Sequence, residues 1–272
     1  MNTLFSGILI VALSNSAPIT HNEESFVAGY SAYAEGNYSL SHNIWKKLAS
    51  KGHARARYGL AVMYEFGQGV KHNYHQAAHW YHEAAKLDYA MAKNNLGMLY
   101  ERGQGVPRDI TAAVSYYRQA AEQGLASSQY NLGLMYYEGI GVDQDHQLAS
   151  HWLLKAAEQG FSSAQYNLGI MYKRGEGVVQ SHALAAHWFI QAIDTGASRA
   201  YSGLQSLIQE QTPAKTINTV SLRQQPSKSS GVIKQLASGK RVYTLEQSDN
   251  WIAVLLDDKK TIGWIERSDL RQ

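Results

Sequence analysis

The chain has no cysteine. This excludes a disulfide framework, a thiolate metal site, a cysteine nucleophile and a lipid-modified N-terminal cysteine. It also suits an oxidising compartment, where a stray thiol is a liability. Histidine stops at His187, so nothing beyond that point can serve as a histidine base. Phosphate loops and nucleophile elbows are missing too, since every Gly-x-Gly here follows a helical stretch and serves to stop it. Charge of one sign is scarce: the net is +3, with ten Lys/Arg against six Asp/Glu from Pro213 onward and near balance before it. No dense basic stripe marks a nucleic-acid partner. The opening "MNTLFSGILIVALSNSAP" is uncharged, and its apolar run from Leu4 to Leu13 is too short to span a bilayer. Its length suits a signal-peptide core, with Ala12-Leu13-Ser14 as the small residues a peptidase reads. The other reading is an apolar cap packed on the first helix. No other segment is long and apolar enough to cross a membrane.

What the chain does have is repetition. "YNLGLMYYEGIGV" from Tyr130 recurs 36 residues later as "YNLGIMYKRGEGV" and 36 residues earlier as "NNLGMLYERGQGV", with a fainter copy at Tyr58. A fixed period in this range marks stacked supersecondary units. Each unit reads as helix, loop, helix. Leu60/Tyr64, Leu96/Tyr100, Leu132/Tyr136 and Leu168/Tyr172 are four apart and share a face of the first helix. Gly97, Gly133 and Gly169 sit inside that helix, at a cost of about 1 kcal/mol each relative to Ala, which points to close approach of a partner helix. Gly67, Gly103, Gly139 and Gly175 stop it. Asn73, Asp109, Asp145 and Ser181 are in register to cap the second helix. That helix carries Ala149, Trp152, Leu153, Ala156 and Ala157 on its predicted core face in the third copy. Gly52, Gly124, Gly160 and Gly196 end the second helices, with Asp88 as the exception.

This joint spacing of Leu-Gly, Tyr, Gly-x-Gly-Val, Trp and Ala-Ala resembles the Sel-1-like repeat, a longer-looped relative of the tetratricopeptide repeat. After Gln211 the period ends and five short β-rich runs follow: Val220–Leu222, Val232–Leu236, Arg241–Glu246, Trp251–Leu256 and Ile262–Glu266. This tail resembles a bacterial SH3-like domain through Leu222-Arg223, Pro226, Gly239, Asn250-Trp251 and Gly263-Trp264-Ile265. It departs from that family at Gln224-Gln225, where a Ser-Gly turn is usual. The predicted architecture is mainly α: a right-handed α-solenoid of helix-pair repeats followed by a small SH3-like β-barrel. Its segments are a signal peptide over 1–17 and a tetratricopeptide-like helix pair over 22–52. Sel-1-like repeats, four copies plus a capping helix, fill 53–210. A linker over 211–218 leads to the SH3-like domain over 219–272. Few contacts are expected to cross the linker, so cleavage there should release two folded fragments.

Candidate chemistry is sparse. His75, His79 and His82 share a helix face, and His79, His151 and His187 are repeat equivalents, yet no HExxH or converging third element accompanies them. No metal and no cofactor is expected. The positions before Leu-Gly are Asn95, Asn131 and Asn167, and an amide there can both donate to and accept from an extended peptide backbone. Tyr130 and Tyr166 stand beside two of them. Resemblance points the same way, because an Asn at the matching place of tetratricopeptide grooves holds peptide. The alternative is that these amides bond to neighbouring helices. Tyr243, Trp251 and Trp264 are the candidate ligand face of the SH3-like domain. The expected function is an exported, periplasmic or secreted, non-enzymatic adaptor; if the apolar run is no signal, the protein is cytoplasmic. One partner would be a protein or peptide in the groove, the other peptidoglycan, a cell-wall enzyme or a second protein. A peptidoglycan-directed enzyme with an unrecognised site is the competing reading.

Overall fold

The computed structural model describes residues 21–271, so the segment expected to be a signal peptide lies outside the described residues. The chain divides into two compact units, one through Arg108 and one from Asp109. The division falls inside the second repeat and not at the expected linker.

The first unit holds α1 (His21–Ala34), α2 (Tyr38–Ser50), α3 (Ala54–Phe66), α4 (Tyr74–Ala85) and α5 (Ala90–Arg102). Its core centres on Trp45, which is fully buried and stacks on Phe26 at 5.9 Å between ring centroids. The second unit continues with α6 (Ile110–Glu122), α7 (Ala126–Glu138), α8 (His146–Glu158), α9 (Ser162–Arg174), α10 (His182–Asp194) and α11 (Ala200–Gln209). The helix pairs are of the solenoid type. All four expected caps are in place: the side chains of Asn73, Asp109, Asp145 and Ser181 each accept a backbone N–H from the first turn. Gly67, Gly103, Gly139 and Gly175 close the first helices in the left-handed region.

The glycine inside the first helix has the expected reason. A Cβ on Gly169 would lie 2.5 Å from the Phe189 ring of the pairing helix, so only hydrogen fits. The residue after the repeated Trp, not the Trp, is the core anchor. Tyr81, Tyr117, Leu153 and Phe189 are at most 1% exposed, whereas Trp80, Trp152 and Trp188 are half-buried. The second glycine of Gly-x-Gly serves packing as well: at Gly177 a Cβ would collide with the His146 carbonyl at the start of α8.

Seven antiparallel strands follow: β1 (Pro213–Thr216), β2 (Val220–Arg223), β3 (Val232–Leu236), β4 (Arg241–Ser248), β5 (Trp251–Leu256), β6 (Ile262–Glu266) and β7 (Leu270–Arg271). Their order is β3-β2-β6-β5-β4-β1-β7. The expected linker is therefore corrected. Its middle is β1, which pairs with β4 at Pro213↔Tyr243 and with β7 at Lys215↔Arg271. Pro213 begins that strand, the place where a missing N–H costs least.

The barrel has its own core of Val220, Leu222, Leu236, Val242, Val254, Leu256 and Ile265. A second cluster joins it to the helices. Ala185, Ala186, Phe189 and Ile190 of α10 and Leu204 and Leu207 of α11 share one buried cluster with Leu245, Ala253 and Leu255 of the barrel. Residues 252, 254 and 256 of β5 thus face the barrel interior while 253 and 255 face helices. A bulge between Thr244 and Glu246 leaves Leu245 unpaired in the ladder and placed in the seam. Polar groups close its edge. The Glu246 carboxylate accepts from the Ser181 hydroxyl at 2.6 Å and from the Ala183 N–H at 3.3 Å, at the positive end of α10. The expectation of few contacts across the tail boundary is overturned by this seam.

Candidate functional site

The candidate groove positions lie on the first helices of the repeats, one residue before a buried leucine. In the second unit, α7 brings Tyr130 and Asn131 next to Leu132, and α9 brings Tyr166 and Asn167 next to Leu168. Helical spacing leaves all four half-buried rather than enclosed. Asn131 is already engaged within the chain. The Asn167 amide makes no hydrogen bond to another described residue. The two tyrosines are partly committed to packing: Tyr130 meets Phe161 at 5.0 Å, and Tyr166 meets Phe189 at 5.9 Å. The Arg199 guanidinium covers the Tyr166 ring at 4.5 Å, a cation–π contact.

Asn95, in the first unit, is placed differently. Its Nδ2 donates to the Tyr81 hydroxyl at 2.9 Å, and its Oδ1 accepts from Asn94 at 3.1 Å. The buried Tyr81 hydroxyl donates in turn to Glu65. Burial pushes the Glu65 carboxyl above its ordinary value, the Tyr81 hydrogen bond acting in the opposite sense. The same burial raises the Tyr81 and Tyr58 phenols. Asn95 therefore holds a buried polar network together, and the structural reading of the repeated amide applies there.

On the barrel, Tyr243 and Trp264 are packed against the cluster shared with α10 and α11. Of the ligand face expected from Tyr243, Trp251 and Trp264, two members are thus half-buried and partly committed to packing within the chain. Trp251 is half-buried outside that cluster and opposes Ser248 and Glu266 across the strands.

Two features escaped the sequence reading. Arg57, Gln129 and Gln165 are repeat equivalents whose side chains donate to the last-turn carbonyls of Ala49, Ala121 and Ala157 at 3.1, 3.2 and 3.1 Å. They satisfy acceptors that a helix end otherwise leaves open. Their signal was a long polar residue in register two positions before the asparagine. The second is a cleft of about 230 Å³ bounded by α10, α11 and the β5–β6 turn. Among the described residues no three His, Asp or Glu side chains converge as a metal ion would need. His79, His151 and His187 are exposed, each edge-on to the adjacent Trp at 5.2 to 5.3 Å. No helix among the described residues is long and apolar enough to cross a membrane.

Comparison with known proteins fits this geometry. The Sel1 repeat matches residues 54–89, 90–125, 126–161 and 162–196, and the bacterial SH3 domain matches 218–271. Among solved structures, a Sel1 repeat protein from Oxalobacter formigenes is 30% identical with a TM-score of 0.62, over 67% of this chain and 74% of that one. A protective antigen of uropathogenic Escherichia coli displaying an SLR fold, c5321, is 33% identical with a TM-score of 0.64. That match covers 75% of this chain but only 43% of the antigen. No curated protein matches the chain. With four matched repeats and a fold shared with solved repeat proteins, the chain belongs to the Sel1 repeat family, and its C-terminal part is a bacterial SH3 domain.

Proposed function

We propose that the protein is an exported, non-enzymatic adaptor whose repeat helices hold a protein or peptide segment. Its SH3-like domain contacts a cell-wall or second protein ligand. Sel1 repeats and a bacterial SH3 domain together are the equipment of a protein-interaction adaptor. The observation that carries the peptide reading is Asn167, a half-buried amide with no hydrogen-bond partner among the described residues, next in sequence to the Tyr166 ring that Arg199 covers. Such an amide can complete both bonds of an extended backbone. Export rests on the uncharged apolar run Leu4–Leu13, and intact-mass analysis from the native host tests it, with a mature chain beginning near Asn15 as the expected result.

The binding test uses a photo-crosslinking residue at position 167 in the native host, followed by affinity measurement with the captured segment. Asn167→Ala should weaken that segment by about two- to tenfold, the worth of one or two hydrogen bonds, with the melting temperature unchanged. Asn95→Ala should instead lower the melting temperature, because it leaves the Tyr81 hydroxyl without its donor. An Asn167→Ala variant that melts well below wild type and binds normally would remove the support for this reading.

A further inference from the structure

The first helices of the repeats start from one register position, and its occupant in the first repeat is out of character. Tyr89, Leu125 and Phe161 precede α5, α7 and α9 without capping them. His53 precedes α3 and does cap it, its Nδ1 accepting the Ala56 N–H at 3.2 Å. In later repeats this residue is a plug: Tyr89 meets Tyr58 at 5.3 Å, and Phe161 meets Tyr130 at 5.0 Å. His53 fills that place too, stacked on Phe26 of α1 at 5.2 Å with its side chain only 11% exposed. One titratable ring thus serves as plug and as cap. With Nδ1 accepting, the ring proton sits on Nε2. That atom is buried without a hydrogen bond among the described residues, although the Glu23 carboxylate of α1 lies 3.4 Å away. Glu23 is engaged by Arg55, whose guanidinium covers Phe26 at 4.9 Å and lies near the Tyr89 phenol. Arg57 is turned to the Ala49 carbonyl and the Glu83 carboxylate, while Glu24 of α1 and Lys51 of the preceding turn are exposed. Burial holds the His53 imidazole below its ordinary value, a backbone hydrogen bond acting in the opposite sense.

We propose that His53 is an acid-operated latch holding the first half of α1 on the start of the helix array. A proton can enter the ring only at Nδ1, where it removes the acceptor of the Ala56 N–H and sets two donors face to face. It also places a positive charge at the positive end of α3, beside Arg55. Glu23 answers that charge only in part, because Arg55 already occupies it. Turning out to water relieves the ring, and Phe26 then loses the surface it stacks on. Phe26 is what holds this half of α1: its ring lies on Trp45 at 5.9 Å, and its carbonyl accepts the indole N–H at 3.5 Å. The far end has its own anchor in Tyr33, packed on Trp45 at 5.5 Å with its hydroxyl donating to Gln68. Release therefore opens α1 as far as Phe26 and uncovers one side of Trp45. The open state takes the proton more readily, so closure is complete above the ordinary histidine value and is lost as pH falls below it. Leu125 and Phe161 do not titrate, which confines the device to this end of the repeats.

Hydrogen exchange of the full chain tests this, read by mass spectrometry at about pH 7.5 and about pH 5 and corrected with an unstructured peptide. The α1 amides up to Phe26 should open about fivefold more at the lower pH, the worth of one helix cap, with α8 unchanged. His53→Asn keeps the cap acceptor and removes the titration, so α1 protection should no longer depend on pH. Should that variant leave α1 open at both pH values, His53→Tyr restores the plug of the next repeat and should give closed, pH-independent protection. Glu23→Gln weakens closure but leaves the ring, so its acid response should persist. His42 of α2 is edge-on to Tyr64 and not to α1, and His42→Asn should respond as wild type. No acid response of α1 in the wild type would overturn the latch, as would one of equal size in α8. A response that survives both His53 variants, or that vanishes in Glu23→Gln or His42→Asn, would overturn its assignment to His53. These readouts need no partner and are independent of Asn167.

Discussion

Asp88 is the residue that breaks the glycine pattern closing the second helices, and Lys93 is the reason. Gly52, Gly124, Gly160 and Gly196 adopt positive φ at this position, and Asp88 adopts the same conformation at φ 62° without the freedom of a glycine. Lys93 stands where the other repeats place Arg57, Gln129 and Gln165; its side chain is 7% exposed, and Asp88 pairs with it. A buried ammonium needs that carboxylate, whereas a glutamine does not. Asp88→Gly should therefore destabilise the protein by about 1 kcal/mol despite relieving the backbone, and Asp88→Gly with Lys93→Gln should recover wild-type stability or exceed it. Urea melts of the two single variants and the double variant check the coupling. Glu65 supplies a pH test. Its carboxyl holds a proton more tightly folded than unfolded, so its contribution is unimpaired below the ordinary glutamate value and stability is lost as pH rises through the raised one. Glu65→Gln keeps an acceptor for the Tyr81 hydroxyl without that loss. Its melting temperature should gain on wild type as pH climbs from about 4 to 7, and a constant difference would contradict the assignment.

At the scale of the element, β5 is the most informative strand. Its sequence "WIAVLL" does not alternate, and a strand apolar at consecutive positions is one buried on both faces. Leu255 faces α10 and α11 while Leu256 faces the barrel, and both are at most 2% exposed. Leu255→Ala and Leu256→Ala should each cost about 2–4 kcal/mol in chemical denaturation of the full chain. A solvent-facing Leu255 would instead cost next to nothing. The helices were legible in the sequence because caps, stops and period agree: Asp145 and Gly175 could be read as punctuation before any contact was known. The seam was not read, because β5 passed for a strand of a free-standing barrel, although its unbroken apolar run announced a second covering. β1 was missed for a different reason. "TPAKT" has no alternating apolar signal, and its place in the sheet comes from partners that are distant in sequence, Tyr243 and Arg271. The site residues were legible as a register but not by role. Period alone cannot tell the Asn95 amide, bonded to Tyr81, from that of Asn167.

For the whole molecule, the seam gives the barrel a structural duty. A helix array must end in a surface that tolerates water, and the final helices here present Phe189, Ile190 and Leu207, all at most 8% exposed, to the cluster that Leu245, Ala253 and Leu255 complete. A chain truncated after Gln211 should lose this cover. Expected outcomes are a lower melting temperature and increased dye binding or self-association, measured by calorimetry and light scattering against the full chain. The isolated segment from Thr212 should bind the same dye through the opposite half of the seam. Two well-behaved, fully stable fragments would show that the shared cluster contributes little. The seam also separates length from termination. The Gln165 side chain reaches the Ala157 carbonyl just as Gln129 reaches Ala121, so the second, third and fourth repeats follow one another through the same joint. A 36-residue duplication cut at such a joint would meet the neighbours it already has, while the barrel stays on the last pair. The reach of this protein can thus be reset in whole repeats by gene duplication, with its C-terminal end left untouched.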